Sequence, residues 1–286
     1  MFRAHKSHKQ VLEQVKTIRK RHKNMGGKKL HGKIHPKILE LGIKLGRDKF
    51  FDLLREENLL VKYRKRYVKT TQSKHLFYKY PNLVQRLDIN RAEQVWVSDI
   101  TYIRTKKGFM YLFLVTDAYS KQIMGWELSD NMKTINALKA LKMAVKNRKY
   151  PERCLIHHSD RGLQYCSPAY IEALGKNNID ISMTTKYDPY ENAVAERVNG
   201  ILKREYEIGD GFLGYKDALQ EIKQTIWLYN TDRPHLSCNG LVPSEAHTKE
   251  NYPLKKWAKI FTPKGTLGSE KQTIFNNELI NQKSVN

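Results

Sequence analysis

The sequence predicts a mixed α/β domain preceded by a strongly basic helical region. Three observations carry this reading. Residues 1–90 hold 24 Lys and Arg against 7 Asp and Glu, a net +17 of the chain's +23. From Gln94 the texture changes to strand-like apolar segments with short turns between them. Those segments give way to amphipathic helices that alternate with two further short strands.

Residues 8–24 read as a helix. Val11, Val15 and Ile18 recur at i, i+4 and i+7, and Lys16, Arg19, Lys20, Arg21 and Lys23 crowd the later part. The Gly26-Gly27 pair ends it. Pro36, suited to a first turn, opens a second helix that runs to about Leu41, with Gly42 as its stop. Residues 47–58 set Phe50, Leu53 and Leu54 on one face of a third. Helix, glycine-bearing turn and helix make the helix-turn-helix pattern, whose second helix can enter a major groove; an ordinary helical hairpin has the same pattern. The basic setting favours DNA binding for residues 1–69. The run KYRKRYVK at 62–69 contributes Lys62, Arg64, Lys65, Arg66 and Lys69 on a strand or arm suited to a phosphate backbone. Residues 70–92, polar and mixed, read as a linker.

VWVSDITYI (95–103) carries apolar groups on both faces, as a central strand requires. Residues 109–116 form a second strand and 121–128 a third, joined as an antiparallel meander. In 132–147, Ile135, Leu138, Leu141 and Val145 repeat at helical spacing. Arg153 to His157 is a short fourth strand, 168–176 a helix, and Ile179 to Met183 a fifth strand. Residues 190–208 and 215–230 are longer helices. The predicted fold is therefore a ribonuclease-H-like mixed five-stranded sheet with flanking helices over 93–262, followed by a polar tail, 263–286.

Composition excludes several classes. Hydrophobic residues are 40% of 286, enough for a real core. The longest apolar stretches, such as 111–115, fall far short of the roughly 18 residues a membrane span needs. MFRAHKSHKQ has no apolar segment behind it, which argues against a secretory signal. Cys154, Cys166 and Cys238 are too scattered for a disulfide scaffold and fit a reducing, cytoplasmic setting. A surface this basic attracts polyphosphate, because pairing Lys or Arg with phosphate releases condensed counterions.

Three acids stand where pattern alone does not put them. Asp99 interrupts the first core strand, where a carboxylate is costly unless it meets a cation or a partner such as a buried Arg. Asp160 directly follows the fourth strand in HHSDRG, at the strand end where open α/β sheets place ligands; it serves equally as a cap for the turn before Gly162. Glu196 shares a helix face with Asn192, Asn199 and Lys203, at spacings of −4, +3 and +7, although Glu196 and Lys203 also read as solvent-facing charges. Thirty-five residues separate Asp160 from Glu196. Jointly they suit two divalent ions, Mg²⁺ or Mn²⁺, which prefer carboxylate oxygens and support in-line phosphoryl displacement.

WVSDITYI, HHSDRGLQY, ENAVAERVNGILKREY and YNTDRPH (229–235) resemble the DDE catalytic core shared by bacterial insertion-sequence transposases and retroviral integrases. The likeness is to the OrfB product of the two-reading-frame insertion-sequence family and covers about residues 94–248, with a weaker resemblance over Met25–Leu60. It implies metal-dependent cutting and joining of DNA at element ends, with Asp99, Asp160 and Glu196 as catalytic, metal-binding acids. It implies two ions, a homo-oligomer on DNA, and a bacterial, nucleoid-associated location. Lys203 and Arg204, with Lys62, Arg64, Lys65 and Arg66, are the expected DNA contacts. In such elements the working enzyme is usually a frameshift fusion to an upstream DNA-binding and zipper part, and no leucine heptad is present in this sequence. A ribonuclease-H-like nuclease that does not join strands, and a non-catalytic DNA-binding protein or truncated element product, are the alternatives.

Other polar residues have plainer readings. Asp117 reads as structural or supporting. His157 and His158 lie near Cys154 and Cys166, but no CxxC or HxxxH spacing argues for zinc. Tyr229, Asn230, Arg233, Pro234 and His235 are expected to support the active site, and Trp96, Trp126 and Trp227 to be core.

Overall fold

The computed structural model describes residues 2–61, 76–185, 192–209 and 211–249. Lys62, Arg64, Lys65 and Arg66, like the tail 263–286, lie outside the described residues. The described residues all fall within one compact unit.

Five strands make one sheet: β1 (Val95–Thr105), β2 (Gly108–Asp117), β3 (Ile123–Ser129), β4 (Leu155–Ser159) and β5 (Ile179–Met183). Their order is β3-β2-β1-β4-β5. The first three run antiparallel as a meander, and β4 and β5 add in parallel beyond β1. This is the ribonuclease-H-type arrangement the strand order of the sequence predicts. Because β1 is central, it is buried on both faces, which is why its sequence does not alternate cleanly.

Nine α-helices are described: α1 (Phe2–Arg21), α2 (Gly27–Glu40), α3 (Arg47–Glu56), α4 (Thr134–Lys146), α5 (Leu163–Cys166), α6 (Pro168–Lys176), α7 (Ala193–Glu205), α8 (Tyr215–Thr231) and α9 (Pro243–Thr248). On one sheet face Trp96, Phe113 and Val115 pack against Ala140, Leu141 and Ala144 of α4 and Tyr170 and Leu174 of α6. On the other, Ile103, Leu112 and Leu114 meet Val198, Ile201 and Leu202 of α7 and Ile222 and Ile226 of α8. Helix α4 lies so close to β3 that a Cβ on Gly125 would fall 2.1 Å from the Ala140 carbonyl oxygen.

Helices α1–α3 enclose a small core of their own, built on Val11, Val15, Leu30, Ile34, Phe50 and Leu54. Two expectations need correction. Pro36 lies inside α2 instead of opening it. Buried Leu30, Ile34 and Ile38 supply packing that offsets the hydrogen bond a mid-helix proline removes. Trp227 is 59% exposed on α8 and is not core.

The helical region is pinned to the second sheet layer by ion pairs. Lys29 meets Glu205 at the end of α7, and Lys33 meets Asp232 just past α8. Buried His22 bonds Tyr206 through Nδ1 at 3.0 Å and Asp232 through Nε2 at 2.8 Å. Residues 81–83 cover the outer edge of β5, where the Met183 amide donates to the Pro81 carbonyl at 3.2 Å.

Candidate active site

Strand register brings the first two acids together. The last parallel pair between β1 and β4 is Ser98 with Ser159. Asp99 and Asp160 are the next residues along, at the point where pairing stops, and neighbouring strands lie about 4.8 Å apart. The chain thus sets two carboxylates side by side without any side-chain choice of its own.

Asp99 Oδ1 accepts the Ile100 amide at 2.9 Å, and Oδ2 accepts Asn199 Nδ2 at 2.6 Å. Burial pushes its carboxyl up to about 7, and the adjacent Asp160 charge and the field of Glu196 push the same way against these two hydrogen bonds. Among the described residues no Lys or Arg forms an ion pair with Asp99, so the buried-Arg reading of this position does not hold. Asp160 Oδ1 accepts the Gly162 amide at 3.0 Å, the turn-capping contact its sequence position suggests. A Cβ on Gly162 would approach that oxygen to 2.9 Å, so a larger residue there would require the Asp160 carboxyl to shift.

Glu196 lies in the first turn of α7, exposed, with partial burial raising its carboxyl. The side of α7 that meets β1 carries Asn199, with Asn192 at the N-cap. Asn192 Nδ2 donates to the Ser98 carbonyl at 3.3 Å, and Asn199 reaches Asp99. The Oδ1 atoms of both asparagines are buried and, among the described residues, receive no hydrogen-bond donor. Among the described residues no three His, Cys, Asp or Glu side chains converge closely enough to form a ready-made metal cage. Residues 186–191, just before α7, are outside the described set. Lys203 lays its aliphatic stem beside Gly209, and Arg204 folds back so that Nε donates to the Gly200 carbonyl at 3.0 Å.

Behind the acids, the two strand histidines face opposite layers. His157 Nε2 shares hydrogen bonds with Ser98 Oγ at 2.7 Å and Tyr170 Oη at 3.0 Å. Burial, reinforced by His158, holds its imidazole down to about 3, so it is neutral. His158 Nδ1 bonds Ser182 Oγ at 2.8 Å. Both imidazoles are thus bonded to side chains inside the layers they face.

Sequence reasoning missed Glu93. Fully buried, it accepts from Arg148, from the Lys149 and Tyr150 amides and from His247. These bonds overcome burial and hold its carboxyl down to about 2. Its neighbour Asp117 accepts from the amides of Glu93, Tyr119 and Ser120, which makes it a structural cap. Only a charged residue just before a core strand hinted at Glu93. Tyr229, Asn230 and Arg233 likewise bind the frame: Tyr229 Oη donates to Lys121, Asn230 brackets Ile123, and Arg233 forms a bidentate pair with Glu205.

The five-stranded ribonuclease-H-type sheet, with β4 and β5 added in parallel beyond the antiparallel meander, is the architecture of an integrase-type core. Comparison with known proteins agrees. Two family models, each described as Integrase core domain, match residues 89–189 and 177–243. The 31 kDa protein of insertion element IS600 from Shigella sonnei is 33% identical over 219 residues, 76% of this chain and 80% of that one. The transposase InsF for insertion sequence IS3A of Escherichia coli K12 is 38% identical over 157 residues, and the match spans 54% of each chain, about half the length of that relative. Among solved structures, the simian T-cell lymphotropic virus intasome has a chain at TM-score 0.48 and 19% identity, covering 84% of this chain and 81% of that one. The HTLV-2 integrase catalytic core domain in complex with magnesium has TM-score 0.44 and 19% identity, over 55% of this chain and 97% of that one. The chain belongs to the insertion-sequence transposase family that carries the integrase core.

Proposed function

We propose that this protein cuts and joins DNA strands at the ends of an insertion sequence in a metal-dependent reaction, with Asp99, Asp160 and Glu196 as the catalytic acids. The observation that carries this reading is the pairing of Asp99 with Asp160 where β1 and β4 part, which sets two half-buried carboxylates together although, among the described residues, no Lys or Arg forms an ion pair with Asp99. A chain with a merely structural role has no need to bury that charge.

The residues fit a hard divalent cation. The donors are all oxygens, and the undonated oxygens of Asn192 and Asn199 lie on the helix that meets Asp99. Asp99, Asp160 and Glu196 would hold two Mg²⁺ or Mn²⁺ ions. Bound there, the ions supply Lewis-acid activation of the attacking oxygen and neutralise the leaving 3′-oxygen. The chain's own part is positional. Asn199 holds Asp99 by one oxygen, the Gly162 amide holds Asp160, and α7 bears Glu196 in its first turn. Lys203 and Arg204 at the other end of α7, with Lys62, Arg64, Lys65 and Arg66, supply phosphate contacts along the DNA. Joining two ends to one target calls for at least a dimer on DNA, and an upstream-frame segment serves as fusion or partner.

The test is a strand-transfer assay with labelled element ends, target DNA and Mg²⁺, run with and without the upstream-frame segment. Joined products are expected, and Asp99→Asn, Asp160→Asn and Glu196→Gln should each lower them at least a hundredfold while end binding persists. Cleavage without joining would assign a nuclease instead. Binding with neither would assign a DNA-binding protein.

A further inference from the structure

We propose that the exposed aromatic and basic surface at the β1–β2 end of the sheet, on the face opposite α7, is the seat of the target duplex; this rests on the strand-transfer reading above. Residues 100–111, ITYIRTKKGFMY, contain Arg104, Lys106 and Lys107 and no acid. The register sets Tyr102 beside Tyr111 and Arg104 beside Phe109 on one face. The Tyr102 ring meets Tyr111 edge-on at 5.0 Å between centroids and Phe109 at 6.1 Å. Phe109 is nevertheless 58% exposed, and Ile135, in the first turn of α4, is 52% exposed. Arg104, beside Phe109, is exposed, as are Lys106 and Lys107 at the β1–β2 turn and Lys133 just before α4.

The surface leads to the acids through bonded groups. Tyr102 Oη donates to Met132 Sδ at 3.8 Å, and Gln164 Nε2 donates to the Met132 carbonyl at 2.8 Å. Gln164 is in α5, which starts directly after the Asp160–Gly162 turn. The loop under Met132 is braced, because Asn136 Nδ2 bonds Ser129 Oγ at 2.8 Å and the Asn131 carbonyl at 3.2 Å. A stiff platform thus runs from the aromatic rings to the edge of the acid pair.

Charge selects the occupant. A second copy would set +23 against +23, with Arg104, Lys106 and Lys107 facing their own kind. DNA meets both demands, since phosphates pair with the rim and sugars or bases lie on the rings. The face separates target from element end. The α1–α3 region is bonded to the end of α7 and to Asp232 just past α8, and Lys203 is on α7, so DNA held by those proposed contacts lies on the other side of the sheet from the Tyr102–Phe109 surface.

The full chain carrying the photocrosslinker p-benzoylphenylalanine in place of Phe109 tests this. It is irradiated with an element-end duplex and an unrelated duplex of different length and label. Crosslinking to the unrelated duplex is expected. A crosslink confined to the end duplex, a crosslink to another copy of the chain, or none at all would overturn the proposal. Crosslinking needs no catalysis, so a chain that neither cuts nor joins would sink the functional reading while leaving this result legible. In parallel, Lys106→Ala with Lys107→Ala should weaken binding of the unrelated duplex about tenfold and lower the salt slope by about 2, with end cleavage unchanged. An unaltered slope would also count against the assignment.

Discussion

Asn199 donates its side-chain amide to Asp99 at 2.6 Å, so the helix that presents Glu196 is registered directly on the central-strand carboxylate. Asn199 stands three residues after Glu196, nearly one turn along the same helix side. The contact therefore links the two ends of the acid set through one rigid element, and Val198, Ile201 and Leu202 fix that element against the sheet.

Loss of that amide should be felt at the metal site before it is felt in folding. Asn199→Ala removes one of the two hydrogen bonds that favour the charged form of Asp99. Half-maximal strand transfer is then expected at several-fold higher Mg²⁺, with end binding unchanged. Asn199→Asp, which adds a like charge, should be worse. An unchanged Mg²⁺ requirement in both variants would show that the contact has no functional role.

Removing the charge itself should stabilise the protein. Asp99 keeps an ionised carboxylate next to Asp160 at the expense of folding free energy. Asp99→Asn at pH 8 without divalent ions is expected to raise stability by about 1–3 kcal/mol, seen as a higher melting temperature. Mg²⁺ should raise the melting temperature of the unmodified chain and much less that of the variant. A destabilised Asp99→Asn would mean that the carboxylate is a structural hydrogen-bond acceptor.

Much of this was legible beforehand because periodicity and spacing report backbone geometry. The clash between Asp99 and its apolar strand, and the spacing that brings Asn192 and Asn199 to β1, survive folding because register and helical pitch are local properties. What stayed hidden depends on distant partners. Glu93 gives no local sign that Arg148 and His247 converge on it. Arg233 looks like a turn residue until Glu205 is seen opposite. Pro36 reads as a helix start because the tertiary packing of Leu30 and Ile34 is not written in its neighbourhood.

The attachment of α1 to the core should weaken in mild acid. His22 faces Tyr206 and Asp232, with Lys33 and Arg21 nearby; burial lowers its imidazole below the ordinary value, and the two cations add to this against the pull of Asp232. Asp232 is held below its ordinary value by Lys33 and His22, although burial opposes them. In both cases the unfolded chain takes up the proton first, so both contributions fade as pH falls. The His22 contribution goes first, below about 6.5, and the Asp232 contribution only below about 4. Melting temperature is expected to drop between pH 7 and 5, and His22→Gln should flatten that slope. Asp232→Ala, which strands Lys33 and His22, should cost about 2–3 kcal/mol at pH 7. Identical slopes with and without His22 would exclude it as the titrating group.

The tightest packing test is Gly125. A Cβ there meets the Ala140 carbonyl at 2.1 Å and the Ala144 amide nitrogen at 2.6 Å, both backbone atoms of α4. Gly125→Ala must therefore push the helix off β3, disturbing the layer that includes Phe113 and Leu141, at a cost of about 3 kcal/mol. Adding Ala144→Gly should not restore stability, because shortening a side chain moves neither backbone atom. Gly32 is the control: it lies inside α2 with open space at its Cβ position. Gly32→Ala is expected to stabilise by about 0.5–1 kcal/mol through the lost freedom of the unfolded chain and better helix propensity. Chemical denaturation of the three variants decides the matter, and rescue of Gly125→Ala by Ala144→Gly would show that side-chain crowding, not backbone contact, sets the spacing of the two elements.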